Sequence, residues 1–206
     1  MLCITTGMTR RLSSIALRFV LCFVLTGKAL AGDAAVAAVA SLIDPAKLAT
    51  LHDERAANRR VLKCVYWLND ARSRGLEPAA VISDAQQLNL SSEQRRAPLV
   101  EAALLRNLDI AEKLGCLTPE NLARLRHGTS PVISRGPYAG EPAEVDHIVP
   151  IAVEPALGKE IANLEMMPRT LNRRKGATMG ARQRHYLEKF RSSDLLEPAS
   201  PWHQRP

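Results

Sequence analysis

The chain has 206 residues, a length that suits one domain or one domain with an extension. Apolar residues make up 46% of it, which excludes wholesale disorder, whereas aromatic residues make up 4%, so aliphatic side chains must fill most of the core. The formal charge of +7 favours a polyanionic partner, nucleic acid or a membrane surface, without deciding between them.

Residues 1–31 have the pattern of a secretory signal peptide. Arg10 and Arg11 form a positive n-region, residues 15–26 are largely apolar, and Ala-Leu-Ala at 29–31 fits a cleavage site. The apolar run is shorter than the roughly 20 residues of a membrane-spanning helix, although an N-terminal anchor is the alternative interpretation. We therefore expect export to the periplasm or the medium, cleavage before Gly32 and no stable membrane insertion afterwards.

Two cysteines, Cys64 and Cys116, remain once Cys3 and Cys22 are removed with the signal. In an oxidising compartment these two can form a disulfide, and two buried free thiols are the alternative. A structural zinc site is disfavoured, because the chain has no C-x-x-C pair or Cys/His cluster.

Residues 33–127 have the pattern of helices joined by short turns. An apolar face runs from Leu48 to Leu68, with a break expected near Asn58, and residues 91–93 precede a further helix that stops at Gly115. Other helix starts are predicted where proline follows a capping or acidic residue, since proline costs nothing in the first turn. These starts are Asp44-Pro45, Glu77-Pro78 and Thr118-Pro119.

After Gly128 the pattern changes from helix to loop and strand. Prolines and glycines predict a loop over 129–143, and strands are expected at 145–149 and 164–167, each ended by proline. A helix follows over 170–190, with an interruption expected at Gly176 or Gly180. The fold class is therefore α+β and mostly helical, with a helical region at 32–128, a strand–loop–strand–helix module at 129–192 and a disordered tail at 193–206.

Four side chains near these strands are suited to phosphodiester chemistry. Asp146 and His147 end the first strand, Asn163 begins the second, and Asn172 lies in the first turn of the following helix. A hairpin with the helix laid across it brings these positions together. The oxygen-bearing side chains suit a hard divalent cation, and a neutral imidazole can take a proton from water.

The segments 145–150 (VDHIVP), 163–164 (NL) and 172–176 (NRRKG) together resemble the HNH, or ββα-metal, nuclease family. The similarity is closest to the HNH domain of RNA-guided nucleases and extends to periplasmic ββα-metal endonucleases. It covers residues 133–190, and residues 32–128 resemble no family. The chain departs from the commonest pattern by having Asn at position 172 instead of His, and by lacking the paired C-x-x-C knuckles of many members.

The resemblance implies a role for each of the four residues. His147 is expected to be the general base, and Asp146 and Asn172 the ligands of one divalent ion. Mg²⁺ is the expected ion and Mn²⁺ or another transition metal the alternative. Asn163 is expected to brace the loop between the strands and to orient the imidazole through its backbone. Taken singly, each residue has an ordinary interpretation as a turn or helix-start residue, so only the combination indicates the site.

The segment 169–191 carries a net charge of +7, equal to that of the whole chain, because Glu188 is its only acid. A basic run is often only a solvated face, but one beside a metal site is suited to phosphate contacts that are independent of sequence. Six cations are predicted to contact phosphates: Arg169, Arg173, Arg174, Lys175, Arg182 and Arg184.

The sequence therefore predicts an exported, metal-dependent endonuclease of low sequence preference, acting on DNA more readily than RNA. Two other functions stay open. One is a catalytically silent protein that binds nucleic acid and keeps the HNH fold. The other is a structural helical protein in which the motif is accidental, and the basic segment beside the motif argues against it.

Overall fold

The computed structural model describes residues 33–89, 95–193 and 195–196. The signal peptide, nearly all of the C-terminal tail and the helix start at 91–93 lie outside these residues and stay predictions. The described chain is α+β and mostly helical, as predicted. Its helices are α1 Ala34–Ile43, α2 Pro45–Ala49, α3 Glu54–Ser73, α4 Pro78–Leu88, α5 Ala97–Lys113, α6 Pro119–Arg126, α7 Arg169–Lys175 and α8 Ala181–Ser192.

The predicted proline starts are confirmed. Pro45, Pro78 and Pro119 each stand in the first turn of a helix, and the side chain of Asp44 accepts a hydrogen bond from the amide of Ala46. The predicted break near Asn58 is wrong, because α3 continues through this residue. Its start is fixed further upstream by Asp53, whose carboxylate accepts from the amide of Ala56 at 2.8 Å.

The sheet is a hairpin of two antiparallel strands, β1 Ala143–His147 and β2 Leu164–Pro168. Asp146 pairs with Glu165 and His147 with Leu164. The first strand lies two residues earlier than predicted, because Ile148 and Val149 leave the ladder and bond instead to Asn163. The predicted interruption of the last helix is confirmed: α7 ends before Gly176, which has a φ of +50°, and α8 begins after Gly180.

Helices of the N-terminal region pack on one face of the hairpin. Because side chains alternate along a strand, Val145 and Met166 lie on the same face, and both are buried with the side chains of α3 and α5 in one continuous core. The core also takes in Leu187 and Phe190 of α8. The region at 32–128 is thus the layer against which the hairpin buries its apolar face.

Two asparagines of the helical region bond to the edges of the hairpin. Asn58 of α3 donates to the carbonyl of Val145 at 3.0 Å. The fully buried Asn107 of α5 accepts from the amide of Met166 at 2.7 Å and donates to the carbonyl of Leu164 at 2.9 Å. Side chains on helices therefore satisfy backbone groups that a neighbouring strand would otherwise pair.

Cys64 and Cys116 are buried free thiols, so the disulfide that the sequence allowed is not formed in the structure. Burial raises the pKa of Cys64 to about 12 and that of Cys116 to about 11. Thiols held protonated in this way are poor nucleophiles and poor metal ligands.

Candidate active site

The second face of the hairpin is polar and carries three carboxylates. Glu144 and Asp146 are two residues apart on β1 and therefore share a face, and Glu165 lies directly opposite Asp146 on β2. Among them Glu165 is the most buried, with 6% of its surface exposed. Placing three acids side by side is unfavourable unless each has a cation, and the neighbouring helices supply them.

Each carboxylate is paired with a basic residue. Arg169 of α7 donates to Glu144 at 2.7 Å, and Arg182 of α8 donates to Glu165 at 2.8 Å. Arg106 of α5 approaches the same Glu165 carboxylate to 2.9 Å. Part of the basic segment is therefore engaged in neutralising the hairpin.

Asp146 is paired with Lys175 of α7. The ammonium lies 2.7 Å from Asp146 Oδ2 and donates to the backbone carbonyl of His147 at 2.8 Å. The two side chains are 14% and 23% exposed, so solvent screens this pair less than a surface salt bridge.

Asn172 stands one turn before Lys175 on α7, so the two share a helix face. Its Nδ2 donates to Glu144 Oε2 at 2.9 Å. Because a carboxylate only accepts, this contact fixes the amide so that Oδ1 is the atom left to bind a ligand. Burial raises the pKa of Glu144, but hydrogen bonds from Arg169 and Asn172 and the charges of Arg169 and Arg173 outweigh burial and lower it overall.

His147 lies at the end of β1 and is 5% exposed. Its Nε2 is 2.9 Å from the carbonyl oxygen of Gly158, which can only accept, so Nε2 carries the proton of the neutral ring. Nδ1 is then the unprotonated nitrogen, and it lies 3.9 Å from Asp146 Oδ1. This tautomer places the basic nitrogen beside the carboxylate that the sequence singles out as a metal ligand.

Asn163 is fully buried and holds the loop that follows His147. Its Oδ1 accepts from the amide of Val149 at 2.8 Å, its Nδ2 donates to the carbonyl of Val149 at 3.0 Å, and its own carbonyl accepts from Ile148 at 2.7 Å. Nδ2 also approaches the carbonyl of Leu157 at 3.4 Å, next to the Gly158 that holds the imidazole. Asn163 thus fixes both ends of the loop around His147.

The oxygen atoms at this end of β1 fit a hard divalent ion. Asp146 offers a carboxylate and Asn172 an amide oxygen, and Mg²⁺ is commonly bound by one or two protein oxygens together with water and substrate phosphate. The ammonium held against Asp146 shows that the position accommodates positive charge. Asp146 and Asn172 lie in one cluster, but no described hydrogen bond joins them, and no three His, Cys, Asp or Glu side chains of the described residues group as a metal site.

The six basic residues predicted to contact phosphate fall into two groups. Arg169, Lys175 and Arg182 are bound to the carboxylates of the hairpin. The other three are exposed, and of these Arg184 donates to a backbone carbonyl while the remaining two form no ion pair with any described residue. They are Arg173, Arg174 and Arg184.

Sequence reasoning missed three residues of this cluster. Glu144 lies just before the strand predicted at 145–149, and only the observed start of β1 at Ala143 places it on the same face as Asp146. Glu165 requires the register of the hairpin, which the sequence does not specify. Arg106 comes from a helix whose packing on the hairpin has no sequence signature.

Comparison of the chain with protein-family models, with curated proteins and with solved structures yields no match. Within residues 33–89, 95–193 and 195–196, none of the helices has the length and apolar character needed to cross a bilayer.

Proposed function

We propose that the protein is an exported endonuclease of the HNH, ββα-metal type, which hydrolyses phosphodiester bonds of nucleic acid with one divalent ion. DNA is the expected substrate, with little sequence preference, and Mg²⁺ the expected ion. The observation that carries the proposal is the cluster at the end of β1. There the fold brings the unprotonated nitrogen of His147 and the carboxylate of its neighbour Asp146, both on β1, to the same end of the hairpin as the oriented Asn172 amide of α7.

In this proposal His147 Nδ1 accepts the proton of the attacking water. The hydrogen bond from Nε2 to Gly158 holds the ring in the tautomer that can do so. Asn163 keeps Gly158 in place through the loop backbone, which makes it a positioning residue. Asp146 and Asn172 would hold the divalent ion, which when bound stabilises negative charge on the phosphoryl group and the leaving oxygen.

Three exposed cations of α7 and α8 are suited to the phosphate backbone. Arg173, Arg174 and Arg184 are not committed to hairpin carboxylates. Contacts of this kind carry no sequence information, which agrees with an enzyme of low specificity.

The second candidate is a nucleic-acid-binding protein that keeps the fold without activity. The ion pair between Lys175 and Asp146 favours it, since this pair occupies a ligand that the enzyme needs. A supercoiled-plasmid assay separates the two: the enzyme nicks the plasmid with Mg²⁺ and not in excess EDTA, whereas the silent protein retards the plasmid without nicking it.

The assay includes Asp146→Ala and Glu188→Ala. Glu188 is an exposed acid of α8, so its variant controls for the loss of one negative charge. Nicking that is lost in Asp146→Ala and kept in Glu188→Ala supports the proposal. Equal nicking by wild type and Asp146→Ala, or nicking by wild type in excess EDTA, contradicts it.

A further inference from the structure

We propose that Lys175 is a built-in occupant of the cation position at Asp146, so that a divalent ion binds only by displacing its ammonium group. The inference rests on the proposed function, because the ion concerned is the one that Asp146 would hold. It assigns to Lys175 a control over metal affinity that the basic character of the segment alone does not indicate.

The contacts of the ammonium are those that a hard cation would choose. Its nitrogen lies 2.7 Å from Asp146 Oδ2 and 2.8 Å from the carbonyl oxygen of His147, and the carbonyl oxygen of Gly176 is 3.4 Å away. All three acceptors are oxygens, and carboxylate and carbonyl oxygens are the protein ligands that Mg²⁺ and Ca²⁺ select.

The ion pairs that Arg169 and Arg182 make on the polar face differ from that of Lys175 in two respects. Arg169 binds Glu144 and Arg182 binds Glu165, and neither carboxylate is a proposed metal ligand. The arginines are also 44% and 48% exposed, whereas Lys175 is 14% exposed. Lys175 is thus the cation of this face that sits within the proposed metal centre.

Lysine is suited to leave such a position. Its charge is carried by a single nitrogen on a flexible four-carbon stem, whereas an arginine would hold the carboxylate through two parallel hydrogen bonds. Lys175 also follows directly after Arg173 and Arg174, which are exposed. An ammonium that leaves Asp146 therefore stays next to the residues proposed to contact phosphate.

Competition at Asp146 couples metal binding to substrate binding. A phosphate that attracts Lys175 away from Asp146 frees the carboxylate for the divalent ion. An ion on Asp146 in turn releases Lys175 for phosphate, and the two effects must be equal because they are linked. The protein would then bind its ion weakly alone and more tightly when nucleic acid is present.

The test measures Mn²⁺ affinity of the purified protein without nucleic acid, by electron paramagnetic resonance of the free ion. Lys175→Met removes the charge and keeps an unbranched side chain that is one atom shorter. We expect it to bind Mn²⁺ roughly tenfold more tightly than wild type, within the usual range of coupling between sites. Lys189→Met is the matched control, because Lys189 is exposed on α8 and makes the same charge change away from Asp146.

Lys175→Gln is a second neutral variant that keeps a hydrogen-bond donor for the two carbonyls. A tighter Mn²⁺ site in either neutral variant, with Lys189→Met like wild type, supports the proposal. Affinity that is unchanged or weaker in both neutral variants overturns it. If wild type and the neutral variants bind Mn²⁺ equally and Asp146→Ala does not bind it, this inference alone is overturned. No Asp146-dependent binding in any variant would overturn the proposed metal centre as well.

Discussion

The two faces of the β1–β2 hairpin differ in what they contact. One face carries Val145 and Met166, which are buried against the N-terminal helices. The other carries Glu144, Asp146 and Glu165, each held by a cation. A two-stranded sheet is at best marginally stable alone, so burial of the first face is what allows the second to present charged groups.

Side chains of the helical region also make the hydrogen bonds that further strands would make to the hairpin. Asn58 and Asn107 bond to opposite strands of the hairpin, at backbone groups that a wider sheet would satisfy by pairing. This gives the region at 32–128 a physical role as the platform of the site. His147 is where the two faces meet, because it ends β1 opposite the buried Leu164 while its Nδ1 lies beside Asp146.

The largest effect is expected on the cleavage rate when His147 is replaced. His147→Ala should lower the cleavage rate by roughly 10²–10⁴-fold, the usual contribution of a general base. Mn²⁺ and nucleic-acid binding should be kept, because the imidazole is not a proposed ligand. Plasmid nicking under saturating Mg²⁺, with binding measured separately, checks this expectation.

A buried histidine also contributes to packing, so the stability of His147→Ala must be followed by thermal unfolding. The control is His185→Ala, which removes an exposed imidazole from α8. A folded His147→Ala protein that cleaves as fast as wild type would remove His147 from the mechanism.

The next largest effect is expected on the free energy of unfolding, when Asn107 on the buried side of the hairpin is replaced. Asn107→Ala leaves the amide of Met166 and the carbonyl of Leu164 without their partner. Each buried polar group left unsatisfied costs about 1–3 kcal/mol, so the free energy of unfolding should fall by several kcal/mol. Urea titration measures this fall, and nicking activity should be lost at temperatures where the variant unfolds.

Asn89→Ala is the matched control, because the side chain of Asn89 is only partly buried and donates one hydrogen bond, to the carbonyl of Ala40. It should cost about 1 kcal/mol or less. Equal costs for the two variants would mean that the hairpin does not depend on the helical region at this edge.

The sequence predicted the parts of the fold that depend on neighbouring residues. Helix starts at Pro45, Pro78 and Pro119 follow from the fixed φ of proline and were predicted correctly. The end of β1 was not predicted correctly. It is set by hydrogen bonds to Asn163, which is fourteen residues away from Val149. Strand propensity alone favours Ile148 and Val149 as strand residues and gives no account of that side chain.

In the candidate site, too, some features follow from sequence patterns and others depend on tertiary packing. Motif spacing singled out the Asp146–His147 pair and the two asparagines. The basic segment indicated Lys175, but only as a phosphate contact. Its position against Asp146 depends on how α7 crosses the hairpin, which fixes the ion pair at 2.7 Å. Charge patterning counts the cations of a segment, whereas tertiary structure decides which of them are already neutralised.

A smaller effect distinguishes the exposed cations of α7, which form no ion pair with a described residue, from the cations paired with hairpin carboxylates. Arg173→Ala and Arg174→Ala should each lower the slope of log affinity against log salt by roughly one, as one phosphate contact is lost. Arg182→Ala should keep the slope and lower thermal stability, because Glu165 loses a partner. Fluorescence anisotropy of a labelled duplex in EDTA measures the slope without cleavage. Equal slopes in all three variants and wild type would mean that this surface does not touch phosphate.

The smallest effect is expected from Glu144, which supports Asn172 on the same face. Its pKa is below the ordinary value of 4.5, so its contribution to stability is complete above that pH and is lost as pH falls through the lowered pKa. Glu144→Gln should therefore be less stable than wild type near neutral pH, by roughly 1 kcal/mol or less for a partly exposed pair, and should lose less stability on acidification. Urea unfolding at a series of pH values measures both quantities.

Glu188→Gln removes an exposed acid of α8 and should leave the acid slope unchanged. An acid slope that is the same in Glu144→Gln and wild type would show that Arg169 and Asn172 do not hold the carboxylate in its charged form.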